Sequence, residues 1–115
     1  MNKYKNLEIW QRSVALATEV YSATKSFPKE EKYGITSQIR RCSVSVPSNI
    51  AEGAGRGSKK EFKRFLNIAY GSIYELETQL LISRNLDYLN EQTHKKLSEE
   101  IDQIQKMIYS FSKKL

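Results

Sequence analysis

The sequence predicts an all-α protein, an antiparallel up-down-up-down four-helix bundle in which residues 1–115 form one domain. Three observations lead there. Apolar residues recur at alternating steps of three and four in four separate segments, the period of a helix with one buried face. Most glycines and prolines fall between those segments or at their ends, Pro47 and Gly71 being the exceptions. The one short alternating run, Cys42, Val44 and Val46, has no second strand to pair with, so it does not found a sheet. At 115 residues with 39% hydrophobic content, the chain can enclose one core but not two.

The first helix carries Leu7, Trp10, Val14, Ala17, Tyr21 and Thr24 as its stripe, widened by Ile9, Leu16, Val20 and Phe27. So broad an apolar arc suits a helix with more than one neighbour, within a bundle or an oligomer. Asn6 is its candidate N-cap, and Pro28 closes the segment because it disfavours helical backbone at Phe27. Residues 28–34, PKEEKYG, read as a turn with room for one helical turn. A second helix then runs from Ile35 toward Gly53 on Ile35, Ile39, Cys42, Val46 and Ile50. Pro47 cannot donate to the carbonyl of Ser43 and crowds it, so this helix is expected to kink or restart there. Val44 then projects nearly opposite Cys42, away from the chain's own core.

Gly53, Gly55 and Gly57 offer positive-φ conformations that end the second helix. Ser58 and Glu61 have the spacing of a capping box and start a third helix. Its stripe is Phe62, Leu66, Ala69, Ile73, Leu76 and Leu80, with Phe65 and Ile82 extending one edge. After a turn at residues 87–92, with Asn90 as candidate N-cap, Leu97, Ile101, Ile104, Ile108, Phe111 and Leu115 keep a heptad rhythm through a fourth helix. The short connections make sequential helices antiparallel neighbours.

Charge is local. Between Gln38 and Arg64 stand Arg40, Arg41, Arg56, Lys59, Lys60, Lys63 and Arg64 against two carboxylates, Glu52 and Glu61, an excess that makes up most of the formal +6. Clustered Lys and Arg favour a polyanion, because neutralising phosphates releases condensed counterions. On the third helix Lys59, Lys60, Lys63 and Arg64 lie on a different arc from Phe62, Phe65 and Leu66, and Tyr70, Tyr74 and Leu81 continue along its border. Such tyrosines can stack on unpaired bases while the cations hold phosphates. The plainer alternative is a solvated face whose tyrosines pack against a neighbouring subunit.

Other chemistries fit less well. The glycines of GAGRGSKK fail the phosphate-loop spacing, since Ser58 stands where the second invariant glycine belongs, and no strand precedes them for a dinucleotide fingerprint. Glu91 and His94 have the E-x-x-H spacing of di-iron bundles, but in one copy, and His94 is the sole histidine. Cys42, on the apolar stripe, reads as a buried small residue, and as the lone cysteine it permits no intrachain disulfide. Glu75 and Glu77 point to different sides of a helix, so they suit pairing with arginines such as Arg40 or Arg41 better than acid–base work. No cofactor, metal site or catalytic residue is expected. The start of the chain lacks a secretory pattern, and no run approaches the roughly 18 apolar residues of a membrane span, so the expected compartment is the cytoplasm.

Several segments together resemble the proteins encoded by intervening sequences in bacterial 23S ribosomal RNA genes. They are Leu7-Glu8-Ile9-Trp10-Gln11, Val20-Tyr21, Phe27-Pro28, Tyr33-Gly34, Gln38-Ile39-Arg40-Arg41 and, most specific, residues 46–53, VPSNIAEG, with Gly55-Arg56 after it. Glu61-Phe62, Arg64-Phe65-Leu66, Gly71-Ser72 and Glu75-Leu76-Glu77 complete the set, and Cys42 replaces a more usual alanine. The resemblance implies a four-helix bundle that assembles as a homo-oligomer, a ring of five. A similar protein is the accessory variability factor of diversity-generating retroelements, which binds nucleic acid and a reverse transcriptase. The reading that follows is a non-enzymatic homo-oligomer binding RNA, ahead of DNA, through Arg40, Arg41, Arg56, Lys59, Lys60, Lys63, Arg64, Tyr70 and Tyr74, with Val44 at the oligomer interface. The alternative is a scaffold that docks a protein partner such as a reverse transcriptase.

Overall fold

The computed structural model describes residues 3–115. Four helices account for most of them: α1 (Glu8–Ala23), α2 (Ile35–Ala54), α3 (Lys59–Asn85) and α4 (Glu91–Lys113), with short 3₁₀ turns at Tyr4–Asn6, Thr24–Ser26 and Lys29–Glu31. Each helix packs on its neighbours in sequence, and α1 meets α4 to close the bundle, with the α2–α3 face the most extensive. The longest dimension is 43 Å. That matches the length of α3, about 40 Å at 1.5 Å per residue, so the third helix spans the whole molecule.

The core is drawn from all four helices, with Leu16, Val20, Ile39, Ile50, Leu66, Ile73, Leu76, Leu97, Ile101 and Ile104 almost completely buried. For α2, α3 and α4 the expected stripes are largely the buried ones. In α1 the buried face is the widened side of the expected stripe. Ile9, Ser13, Leu16, Ala17 and Val20 point inward, whereas Val14 and Tyr21 are 37% and 41% exposed. Ser13 is the one member of this face that was not expected. Its hydroxyl donates to the Ile9 carbonyl at 2.6 Å, so the group is satisfied inside the core without a partner from another helix. Ile82, expected at the edge of the core, is 45% exposed.

Asn6 does not cap α1; it lies in the preceding 3₁₀ turn, and Leu7 occupies the N-cap position without a side-chain bond. The helix also ends earlier than Pro28 requires, at Ala23, before Phe27 turns extended at ψ 153°. Pro47 is carried inside α2 as one element from Ile35 to Ala54, so the helix does not restart. The glycines divide their work. Gly57 alone adopts positive φ, at 83°, in the α2–α3 turn, while Gly55 has φ −83°. Gly53 is buried within α2, where a Cβ would lie 2.7 Å from the Cβ of Phe65. Its missing side chain therefore brings the end of α2 onto the start of α3.

Half of the capping box forms. Ser58 Oγ accepts from the Glu61 amide at 3.1 Å, while the Glu61 carboxylate turns to Arg64. Asn90 caps α4, accepting from the Thr93 amide at 2.7 Å. Tyr88, in the α3–α4 turn, donates to Glu31 Oε2 at 2.9 Å and packs its ring 5.6 Å from Phe27, tying that turn to the segment before α2.

Candidate nucleic-acid interface

The structure separates the nine predicted contact residues into three groups. Arg40 belongs to the scaffold. Its Nε donates to Thr24 Oγ1 at 2.8 Å, one Nη reaches the Tyr21 carbonyl at 3.3 Å, and the guanidinium lies 4.7 Å from the Tyr21 ring centre. The Tyr21 carbonyl is among the last of α1, which lack intrahelical donors, so Arg40 caps that helix across the bundle. Arg41 donates to Ser37 Oγ at 3.3 Å and borders a polar cleft between α2 and α3 with Cys42, Ser45, Ser72, Glu75 and Gln79. At 1.5 Å per residue it stands about 20 Å along α2 from the basic residues at the α2–α3 turn.

The second group surrounds the α2–α3 turn. Arg56 binds Glu52 at 2.6 Å and Arg64 binds Glu61 at 3.3 Å, and their guanidinium carbons lie 4.9 and 4.6 Å from the centre of the Phe65 ring. Phe65 is thereby 6% exposed although it sits at the edge of the basic face. Lys59, Lys60 and Lys63 are different. All three are exposed, and among the described residues none has an ion-pair partner. The sequence explains this directly: the two carboxylates of the segment stand one helical turn from Arg56 and Arg64, where the shorter reach is to arginine.

The tyrosines form the third group. Tyr70 and Tyr74 meet edge to face at 5.0 Å, with their hydroxyls 3.2 Å apart. That hydrogen bond is the main reason the Tyr70 phenol is held above its ordinary pKa. Tyr70 packs partly against the core, whereas Tyr74 is 46% exposed. Tyr109 on α4 joins them, 6.3 Å from Tyr70, and Lys113 Nζ lies 4.9 Å from the Tyr109 ring centre. Lys63, Tyr70, Tyr109 and Lys113 line one cleft between α3 and α4. Tyr109 and Lys113 were not among the expected residues. Their i, i+4 spacing on the polar side of α4 was the available signal, masked by the regularity of the heptad beside it.

The other sequence candidates find ordinary partners. Glu91 lies 3.8 Å from Arg84 and His94 is 3.4 Å from Ser98 Oγ, and no group of metal-ligating residues exists among the described residues. Glu77 accepts from Gln105 at 3.3 Å, and neither it nor Glu75 pairs with Arg40 or Arg41 within the chain. Cys42 is half-buried rather than buried, and burial, with the charge of Glu75 behind it, pushes its thiol up to about 11. A thiol held protonated is no nucleophile. No helix among the described residues is long and apolar enough to cross a membrane.

Together the fold and this surface define a small basic four-helix bundle. Residues 5–110 match the family described as 23S rRNA-intervening sequence protein, and the chain belongs to that family. A crystal structure from Bacteroides thetaiotaomicron VPI-5482, of a protein with unknown function from the S23 ribosomal protein family, has the same fold. It superposes with a TM-score of 0.82 at 22% identity, covering 91% of this chain and 98% of its own. No curated protein matches the sequence.

Proposed function

We propose that this protein is a non-enzymatic homo-oligomer that binds RNA through phosphates at the first two turns of α3. The observation that carries the reading is the contrast between cations. Arg56 and Arg64 are neutralised by Glu52 and Glu61, while Lys59, Lys60 and Lys63 stand exposed and unpaired. Three free ammonium groups on one helix face offer contacts that position a backbone without reading its sequence. The family description, which names an intervening sequence of 23S rRNA, makes RNA the first polyanion to try. Assembly, with a pentamer as the form to test, would repeat the lysine face and add avidity.

Fluorescence anisotropy with a labelled structured RNA, a matched duplex DNA and a polyanion control tests this across a salt series. Replacing Lys59, Lys60 and Lys63 with Ala should flatten the slope of log K against log salt by about 2 to 3, at roughly 0.7–0.9 for each phosphate no longer neutralised. An unchanged slope, or RNA binding no tighter than the polyanion, would refute the proposal. A second reading, a scaffold that docks a protein such as a reverse transcriptase, is favoured by one feature. Tyr21, Tyr33 and Val44 are exposed around a single cleft beside Arg41, remote from the lysines.

A further inference from the structure

Resting on the phosphate-binding reading, we infer that the cleft between α3 and α4 seats one unpaired nucleotide, with its base on Tyr109 and its phosphate between Lys63 and Lys113. The cleft is the place where the two helices bring aromatic and cationic groups together. Lys63 and Asn67 come from one side, Tyr109, Ser112 and Lys113 from the other, and Tyr70 lies between. Its volume of 290 Å³ is at the lower limit of small-molecule sites, about 300–1,000 Å³, suited to a base more than to a larger cofactor.

The three tyrosines are not equivalent. Tyr70 is committed to Tyr74 through both ring and hydroxyl and to the core behind it. Tyr109 is 52% exposed; beside the Tyr70 ring at 6.3 Å, its ring is met by the ammonium of Lys113, on a flexible stem. An ammonium over an exposed ring is weakly held, and a base stacks there more strongly. The base therefore takes the position over Tyr109, and the displaced ammonium moves to the adjoining phosphate, where it meets Lys63 from the facing helix. Asn67 and Ser112 supply polar groups at the edge of the base. A base paired within a duplex cannot enter, so the cleft selects unpaired strands, of ribose or deoxyribose.

Anisotropy with a labelled single-stranded oligoribonucleotide, its DNA counterpart and an abasic strand of equal length separates the base from the phosphates. The base-bearing strands should bind about five- to a hundredfold tighter than the abasic one, the range of a single stacked base. Tyr109→Ala should remove that advantage, while Tyr109→Phe should retain it. A stronger grip on the RNA than on the DNA strand would assign the ribose as part of the ligand, and equal affinity would assign the base and phosphate alone. Equal binding of base-bearing and abasic strands, or an equal loss for both in Tyr109→Ala, would overturn the stacking site and leave phosphate binding standing. Absence of binding by every strand would overturn both.

Discussion

Arg12 on α1 grips Glu100 on α4 with two parallel hydrogen bonds, Nε to Oε2 at 2.9 Å and Nη2 to Oε1 at 2.8 Å. A third guanidinium nitrogen lies 3.4 Å from the sulfur of Met107. This fork joins the first helix to the last and so closes the bundle on the side where the chain supplies no connecting loop. Glu100 is the main reason the Arg12 guanidinium is held above its ordinary pKa.

Arg12→Lys keeps the charge but cannot make both bonds, so it should lose most of what Arg12→Ala loses. Both side chains are about a third exposed, and solvent screening limits the expected loss to about 1 kcal/mol. Urea denaturation of the two variants checks this. A lysine variant as stable as the parent would show that the fork geometry adds nothing.

Gly53 and Gly71 should respond to alanine with opposite signs. At Gly53 the new methyl would meet Phe65 Cβ at 2.7 Å and Phe62 at 3.1 Å. Overpacking there should cost about 1–3 kcal/mol, more than the ~0.4–1 kcal/mol recovered from the unfolded chain. At Gly71, also helical, nothing lies within 4 Å, and alanine should stabilise by ~0.5–1 kcal/mol. Thermal melts of both variants decide it. A destabilised Gly71→Ala would place a neighbouring copy against that position.

The helices were legible in the sequence because burial follows a period that four segments repeat, and both Ser58 and Asn90 cap where their residue types suggest. On α1 the expected set was too broad: Ile9, Leu16, Ala17 and Val20 are buried, but Val14 and Tyr21 face outward, and the buried Ser13 escaped because it is polar. The basic segment could be found by counting charges, yet counting could not distinguish bound from free ones. That distinction lies in Thr24 and Tyr21, which claim Arg40, and in Glu52 and Glu61, which claim Arg56 and Arg64. Tyr109 escaped because Lys63 and Tyr70, which it joins in the cleft, lie on a different helix.

Val44 is 41% exposed on α2, next to Tyr21 and Tyr33 around one cleft. If copies of the chain join there, Val44→Lys should lower the mass measured by light scattering while leaving helical circular dichroism intact. Buried against a second copy, a lysine would carry an unpaired charge close to Arg40 and Arg41. An unaltered mass would put the interface elsewhere.

Cys42 should resist alkylation. A thiol raised from 9.0 to about 11 by burial, with Glu75 adding to it, leaves about a hundredfold less thiolate at neutral pH. The raised value also sets a pH window: any stability that depends on the neutral thiol is intact below about 9 and declines as pH climbs through about 11. Iodoacetamide rates measured against pH provide the check, and Glu75→Gln should accelerate them in part. A rate profile with an ordinary midpoint near 9 would contradict the burial argument.

The close approach at Gly53 bears on the order in which the molecule is made. α2 and α3 are joined by four residues, 55–58, and share the most extensive helix–helix face, so their contacts close the shortest loops in the chain. This hairpin is the expected nucleus, with substitutions at Val46 and Leu66 slowing folding and those at Leu16 and Ile104 chiefly speeding unfolding. On a ribosome the lysine face would emerge with the hairpin, while Tyr109 and Lys113 are still inside the exit tunnel. A growing chain would thus present its ammonium groups to polyanions first and acquire the aromatic cleft last.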